Sequence, residues 1–373
     1  MESNLLPVDL DKFWKDDLTA HEDNCFSLTA PQVALGIRMS DECVFAELGE
    51  DGTPWAYTST KRRIDLNRRY NDKAEKIVGR RLLNESFPHP DSYLPEVKRI
   101  GEVFGGRYVW FNNTEWLESD IKTPGELEKR LDIIDKMDLR EFMLPDNWEE
   151  ERRIKFEKYG IKPGSWHGVR GPVTLACSVY GIENLIYLIM DEPGLAKRFS
   201  DTIADVIIKM TDIMDTESNG VSKSSGFGFN DDNCCMLNAE MYEFFGYPVL
   251  KRVFDYFCPT PQHFRYQHSD SAMEHLLPVL GRLDFHGVNF GPTVTIDKIR
   301  KYMPKTRIDG CIAPFTFMNN DRETLIAEVK RDCEMAKKYG RGVNLTTAVS
   351  INNGSSLESM RAVMWAIREY GRY

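Results

Sequence analysis

From about residue 160 the chain alternates short β-leaning runs with amphipathic helical stretches, and that alternation restricts the fold more than any other feature. The runs are "SWHGVR", "SSGFGFND", "HFRYQHSD", "DFHGVNFG", "TRIDGCIAP" and "GVNLTTAVS". Strands separated by helices are expected to lie parallel, with the helices covering the faces of the sheet. Six such units in succession favour a (β/α)8 TIM barrel, an α/β fold, over a flat doubly wound sheet. A dinucleotide-binding reading is weaker, because "GFGFND" offers only Gly226-x-Gly228 and no third glycine. Helix boundaries support the rhythm. Asn238 can cap "LNAEMYEFFGYPVLKRVFDYF", with Pro248 as a kink. Asn320-x-x-Glu323 opens a helix that stops at Gly340, and Ser355-x-x-Glu358 opens one that ends before Gly371. Residues 1–100 are expected to form an extension packed on a barrel of residues 101–373. Within the extension, "ECVFAELGEDGTPWAYTS" reads as a hairpin turning at Asp51-Gly52.

Charge and hydropathy then remove some functions. The 373 residues carry a formal net charge of −10, unsuited to neutralising a run of phosphates, so no nucleic-acid partner is expected. The longest apolar stretch, "NLIYLIM" from Asn184 to Met190, is far short of the roughly 20 residues that span a bilayer. "MESNLLPVDLDKFWKDD" lacks the basic start and apolar core of a signal peptide, so the expectation is a cytoplasmic protein without membrane contact. Eight cysteines include no C-x-x-C pair, which gives no sign of a structural zinc knuckle.

In barrel enzymes the chemistry sits at the carboxyl ends of the strands. Applied to these runs, that rule selects Arg170, Asp231, Asp232, His268, Asp270, Asn289, Cys311, Thr346 and Thr347. His268 and Asp270 are two apart, so on extended backbone they point the same way, as two ligands on one ion would. The same register turns Phe264 and Tyr266 inward and sends Arg265 and Gln267 toward the helices, where they need partners. Asp270 is alternatively an N-cap for "SAMEHLLPVL". Asp231 and Asp232 are adjacent carboxylates, an arrangement that raises one pKa or attracts a cation, unless one is solvated and the other a turn residue. Cys311 is the cysteine best placed to reach a barrel mouth.

Several segments, in order, resemble the uroporphyrinogen decarboxylase superfamily, which joins the decarboxylase to methyltransferases that serve corrinoid proteins. They are "GPVTLACSVYG", "FNDDNCCMLNAEMYEFFGYPVLKRVFD", "QHSDSAMEHLLPVLGRLDFHGVNF", "IDGCIAP" and "NLTTAVSINNGSSLESMRAVMWAIREYG". The resemblance covers roughly residues 160 to 373 and implies a single barrel with its cleft at the strand carboxyl ends. Methyltransferase members hold zinc with His-x-Cys and a late cysteine; here His268 matches the histidine, Asp270 replaces the first cysteine and Val349 falls near the second. The decarboxylase's arginine-rich motif has no counterpart, and its aspartate, tyrosine and late histidine correspond to Asn289, Ser178 and Val349. Neither parent set is complete.

Uroporphyrinogen carries many carboxylates, each costly to bury unpaired, whereas Arg170 is the one fixed cation among the strand ends. The leading expectation is therefore metal-assisted methyl transfer from a small methylated substrate to a separate corrinoid protein, with zinc on nitrogen and oxygen donors. Alternatives are a decarboxylase of uroporphyrinogen or a related acid, in porphyrin metabolism, and a non-catalytic small-molecule binder. Asp231, Asp232, His268 and Asp270 are the expected catalytic groups; Arg170, Asn289, Cys311 and Thr347 would contact substrate. His268 and Asp270 would hold the metal, with Glu240, or else Asp231 or Asp232, completing the set, and a homodimer follows by family analogy.

Overall fold

The computed structural model describes residues 5–111, 114–218, 226–348 and 351–373. Its strands are β1 (Ala34–Leu35), β2 (Arg107–Phe111), β3 (Thr114–Glu118), β4 (Gly168–Arg170), β5 (Gly226–Asn230), β6 (Phe264–Ser269), β7 (Gly287–Phe290), β8 (Arg307–Asp309) and β9 (Val343–Leu345). Each of the six expected runs contains one of the strands β4 to β9. The chain divides into two compact units, one of residues 1–87, 269–274 and 284–373, the other of residues 88–268 and 275–283.

In the first unit β1, β9, β8 and β7 are neighbours in that order and all run parallel, with Ala34 opposite Asn344 and Val288 opposite Ile308. β1 comes from the stretch expected as an extension, so the N-terminal region supplies a strand to the parallel set. The hairpin expected around Asp51-Gly52 is absent: Val44–Leu48 is a helix, closed by Gly49 at φ 64. A glycine in the left-handed region is a helix stop, and here it falls ahead of the Asp51-Gly52 pair. Asp23, Asn24 and Cys25 form a left-handed turn at φ 50, 52 and 67. Asn24 anchors it, donating to the His286 carbonyl at 2.8 Å and accepting from Arg307 at 2.9 Å, at the amino ends of β7 and β8. Arg361 ties the N-terminal residues to the last helix by donating to the carbonyls of Leu6, Val8 and Ile77.

Two helix starts lie one residue later than expected. Asp321 caps Arg322–Tyr339 by accepting from the Thr324 amide, and Ser356 caps Leu357–Tyr370 by accepting from the Ser359 amide. Asn320 serves the second helix instead, its side-chain oxygen accepting from the Ser356 amide at 3.0 Å and the Ser359 hydroxyl at 2.7 Å.

In the second unit β4, β5 and β6 are parallel neighbours, and β2 and β3 form an antiparallel pair with Arg107 opposite Glu118. The helix Ala239–Phe257 begins at Asn238, as its sequence suggests, and runs through Pro248. No single helix among the described residues is long and apolar enough to cross a membrane; the apolar pair Pro172–Tyr180 and Ile182–Asp191 is bent by 104° at its break.

Candidate functional site

Arg170, Asn230 and His268 stand opposite one another on β4, β5 and β6. Cα partners in a sheet present their side chains to the same face, so three polar groups share one level at the ends of these strands. Beyond Arg170, Gly171 precedes the helix Pro172–Tyr180, whose first residue is a proline with no amide hydrogen to leave unsatisfied. Beyond Asn230 the chain turns through Asp231 into a short 3-10 helix, Asp232–Met236.

That turn is fastened on several sides. The Asp231 amide donates to the His268 carbonyl at 3.0 Å, and the Gly171 amide donates to the Asn230 carbonyl at 2.7 Å. Asp231 Oδ1 accepts from the Thr174 amide at 2.8 Å, satisfying one of the donors every helix start leaves open. The Thr174 hydroxyl accepts from the Asn233 amide at 3.0 Å, so one threonine grips the turn on both sides of Asp232. A Cβ on Gly171 would lie 2.2 Å from the Asp231 Cβ, which explains why glycine opens this helix. Asp231 is fully buried, and its Oδ2 has no hydrogen-bond partner. Burial raises its carboxyl to about 7; the Thr174 hydrogen bonds oppose that rise and the neighbouring Asp232 charge adds to it. Of the two adjacent aspartates, Asp231 is thus the structural one.

Asp232 is the half-exposed one. Its Oδ1 lies 3.4 Å from His268 Nε2. Asp232 and His268 thus each offer a ligand atom to one point within this unit. Glu240 lies outside this group, exposed in the first turn of Ala239–Phe257. The helical segment after β6 opens at Glu274 rather than directly after Asp270, which removes the adjacency that an N-cap role required. Arg265, on the opposite face from His268, donates to the carbonyls of Cys258 and Leu283 at 2.9 and 3.0 Å, which supplies the partners its helix-facing register requires.

A cavity of about 800 Å³ opens beside Asp232. Its lining includes Asn230, Arg170, Ser178 and Trp166, together with Arg99, Tyr108, Glu115 and Trp116 from around the β2–β3 hairpin. Arg170 donates to Ser178 Oγ at 3.0 Å. Arg99 makes a forked pair with Glu115 at 2.6 and 2.9 Å, and its guanidinium lies 3.4 Å from the Tyr108 ring centroid. The Arg99 bond holds the Glu115 carboxyl below its usual range. The run "RYVWFNNTEWLE", two β-leaning halves around Asn112-Asn113, is the sequence signal for this hairpin. Residues 112 and 113 lie outside the described residues.

The remaining strand-end expectations, in the other unit, are mostly structural. Asn289 donates to the carbonyls of Asp309 and Thr347 at 2.5 and 3.2 Å. Thr347 is 2% exposed, and Thr346, also at the end of β9, gives its carbonyl to the Ile312 amide. Cys311 is fully buried, not at an opening; its amide donates to Asp332 at 3.1 Å and burial pushes its thiol well above the ordinary range. It presents no atom to a bound molecule. Val349 lies outside the described residues.

Residues 167–370, more than half of the chain, match the family model described as uroporphyrinogen decarboxylase (URO-D). The chain belongs to this family. Curated proteins provide no match. Among solved structures, a methyltransferase from Methanosarcina mazei aligns with a TM-score of 0.54 and 15% identity, covering 91% of this chain and 95% of that one. At that identity the likeness is one of fold, and it agrees with the parallel α/β architecture of this uroporphyrinogen decarboxylase family member.

Proposed function

We propose that this protein is a metal-dependent methyltransferase that demethylates a small methylated substrate and delivers the methyl group to a corrinoid carried by a separate protein. The observation that carries the reading is the approach of His268 to Asp232, which lines an open cavity. One imidazole nitrogen and two carboxylate oxygens form a donor set that zinc accepts. His268 and Asp232 would hold the ion from neighbouring strand ends, and Asp270 from the residues that follow β6. Zinc bound to these donors supplies Lewis acidity toward an oxygen leaving group, and the absence of thiolates keeps it a strong acid. A corrinoid on the partner protein would supply the nucleophile that accepts methyl. The methyl–oxygen bond breaks with its electron pair left on oxygen, and that oxygen takes up a proton from water. In this reading Arg170 and the aromatic walls orient the substrate, while Thr174 and Asp231 fix the backbone on either side of Asp232. A closed (β/α)8 barrel is the architecture we assign to it, supported by the breadth of the structural match.

The family description favours a second reading, decarboxylation of uroporphyrinogen or a related acid. The cavity counts against it, because Arg99 is already forked to Glu115 and leaves Arg170 to face several carboxylates. Metal analysis of the purified protein, paired with a demethylation assay on methyl ethers with cob(I)alamin as acceptor, separates the readings. The expected result is near-stoichiometric zinc that His268→Ala removes together with activity. Metal-free protein that releases carbon dioxide from uroporphyrinogen would replace this reading with the second, and binding without turnover would leave a non-catalytic carrier.

A further inference from the structure

Resting on that reading for its choice of site, we propose that the substrate carries a single carboxylate on a flat apolar body, and that Arg170 binds the carboxylate. Three independent features of the cavity point there. The first is charge. The lining includes two guanidinium groups and two carboxylates, Glu115 and Asp232; Arg99 spends its fork on Glu115 and Asp232 goes to the ion in that reading, while Arg170 acts on Glu115 only at longer range and has no carboxylate within ion-pair distance among the described residues. Arg170 is half-buried and its hydrogen bond is to a neutral hydroxyl, Ser178 Oγ. A partly buried guanidinium facing a cavity is stabilised by a carboxylate that meets its fork in a bidentate fashion. One cation without a direct carboxylate partner matches one carboxylate, not several.

Shape is the second feature. Tyr108, Trp116 and Trp166 line the same space, and Trp116 is 55% exposed. Aromatic faces left open at a cavity are suited to a flat apolar partner. The third is spacing. Arg170, Asn230 and His268 are in register on three successive strands, so the Cα atoms of Arg170 and His268 lie about two strand spacings, roughly 10 Å, apart. With the Arg170 side chain reaching inward from one end, the interval left to the metal donors suits one ring, with the carboxylate at one edge and the methyl-bearing oxygen at the other. A neutral methyl donor such as an alcohol would leave the cation unmet.

The test is a titration of the protein's tryptophan fluorescence, to which Trp116 and Trp166 contribute from the cavity wall. The probes are 4-methoxybenzoate and its uncharged counterpart, 4-methoxybenzyl alcohol. The wild-type protein is expected to bind the benzoate at least about tenfold more tightly, the scale of a charge-assisted hydrogen-bonded pair. Arg170→Met should erase the preference and Arg170→Lys should retain part of it, each checked for folding by its thermal transition. Equal affinity for the two probes in the wild type, binding of neither, or a preference that survives in Arg170→Met would each overturn the assignment. The wild-type comparison stands even where a variant fails to fold. Because binding is read without turnover, the two proposals fail separately. Metal-free protein that still prefers the benzoate refutes methyl transfer alone, and zinc-loaded, active protein with no preference refutes the carboxylate site alone.

Discussion

His268 Nε2 and Asp232 Oδ1 lie 3.4 Å apart, contributed by the ends of adjacent parallel strands. Substituting His268 by Ala or Asp232 by Asn is expected to strip the ion and to lower demethylation at least about 100-fold, beyond the usual effect of outer-shell changes. Elemental analysis of the variants checks this. Full metal occupancy in His268→Ala would remove the histidine from the donor set.

Thr174 touches no ion in the proposal, yet its hydroxyl receives the Asn233 amide and its own amide reaches Asp231. Thr174→Val deletes the first bond and keeps the second. The expected cost is about 1 kcal/mol of stability and a metal affinity lowered roughly 10- to 100-fold. Denaturant melts and zinc competition with a chelator report the two effects separately. Unchanged zinc affinity would mean that the turn holds its shape without this clamp.

Gly171→Ala is expected to be worse, since the added methyl would meet the Asp231 side chain at 2.2 Å. Overpacking of this kind costs on the order of 1–3 kcal/mol or more. A melting temperature equal to that of the wild type would show that the helix start can shift to make room.

The pH response of stability should carry the mark of His21. Its imidazolium is held up to about 10, first by Asp17 and then by the Cys25 thiol at 3.8 Å. The folded value lies above the ordinary 6.5, so the contribution is complete below about 6.5 and fades as pH rises through about 10. Melting temperatures of wild type and His21→Gln are expected to converge over that window. Curves that stay parallel from neutral to alkaline pH would argue that the pair adds nothing to folding.

Cys311 is expected to resist iodoacetamide in the native protein while half-buried Cys235 is alkylated. Peptide mass spectrometry before and after unfolding reads the order directly. Early labelling of Cys311 would reopen it as a cavity residue.

Much of the architecture was legible because hydrophobic runs and helix caps are local signals. The strands from "SWHGVR" to "GVNLTTAVS", the Asn238 cap and the Gly340 and Gly371 stops needed no knowledge of distant neighbours. The errors came where a remote partner decided. Asn320 stands where a cap belongs, but its side chain serves the start of another helix. Nothing local to Asp231-Asp232 says which carboxylate is buried; the answer lies in Gly171 and Thr174, far along the chain. His268 and Asp270 announced themselves through strand periodicity, whereas the nearness of Asp232, rather than Glu240, to His268 emerged only through strand pairing. Arg99 and Trp116 were missed because their hairpin is too short to outweigh the charged stretch around it.

The main-chain hydrogen bond from the Asp231 amide to the His268 carbonyl has an evolutionary corollary. Main-chain atoms, common to all amino acids, set how far apart the jaws of the chelate stand, so donor chemistry is free to vary without rebuilding the frame. A lineage could exchange sulfur for oxygen at such a station one codon at a time, retuning the ion's hardness and hence the bond it can break, while every intermediate protein still folds.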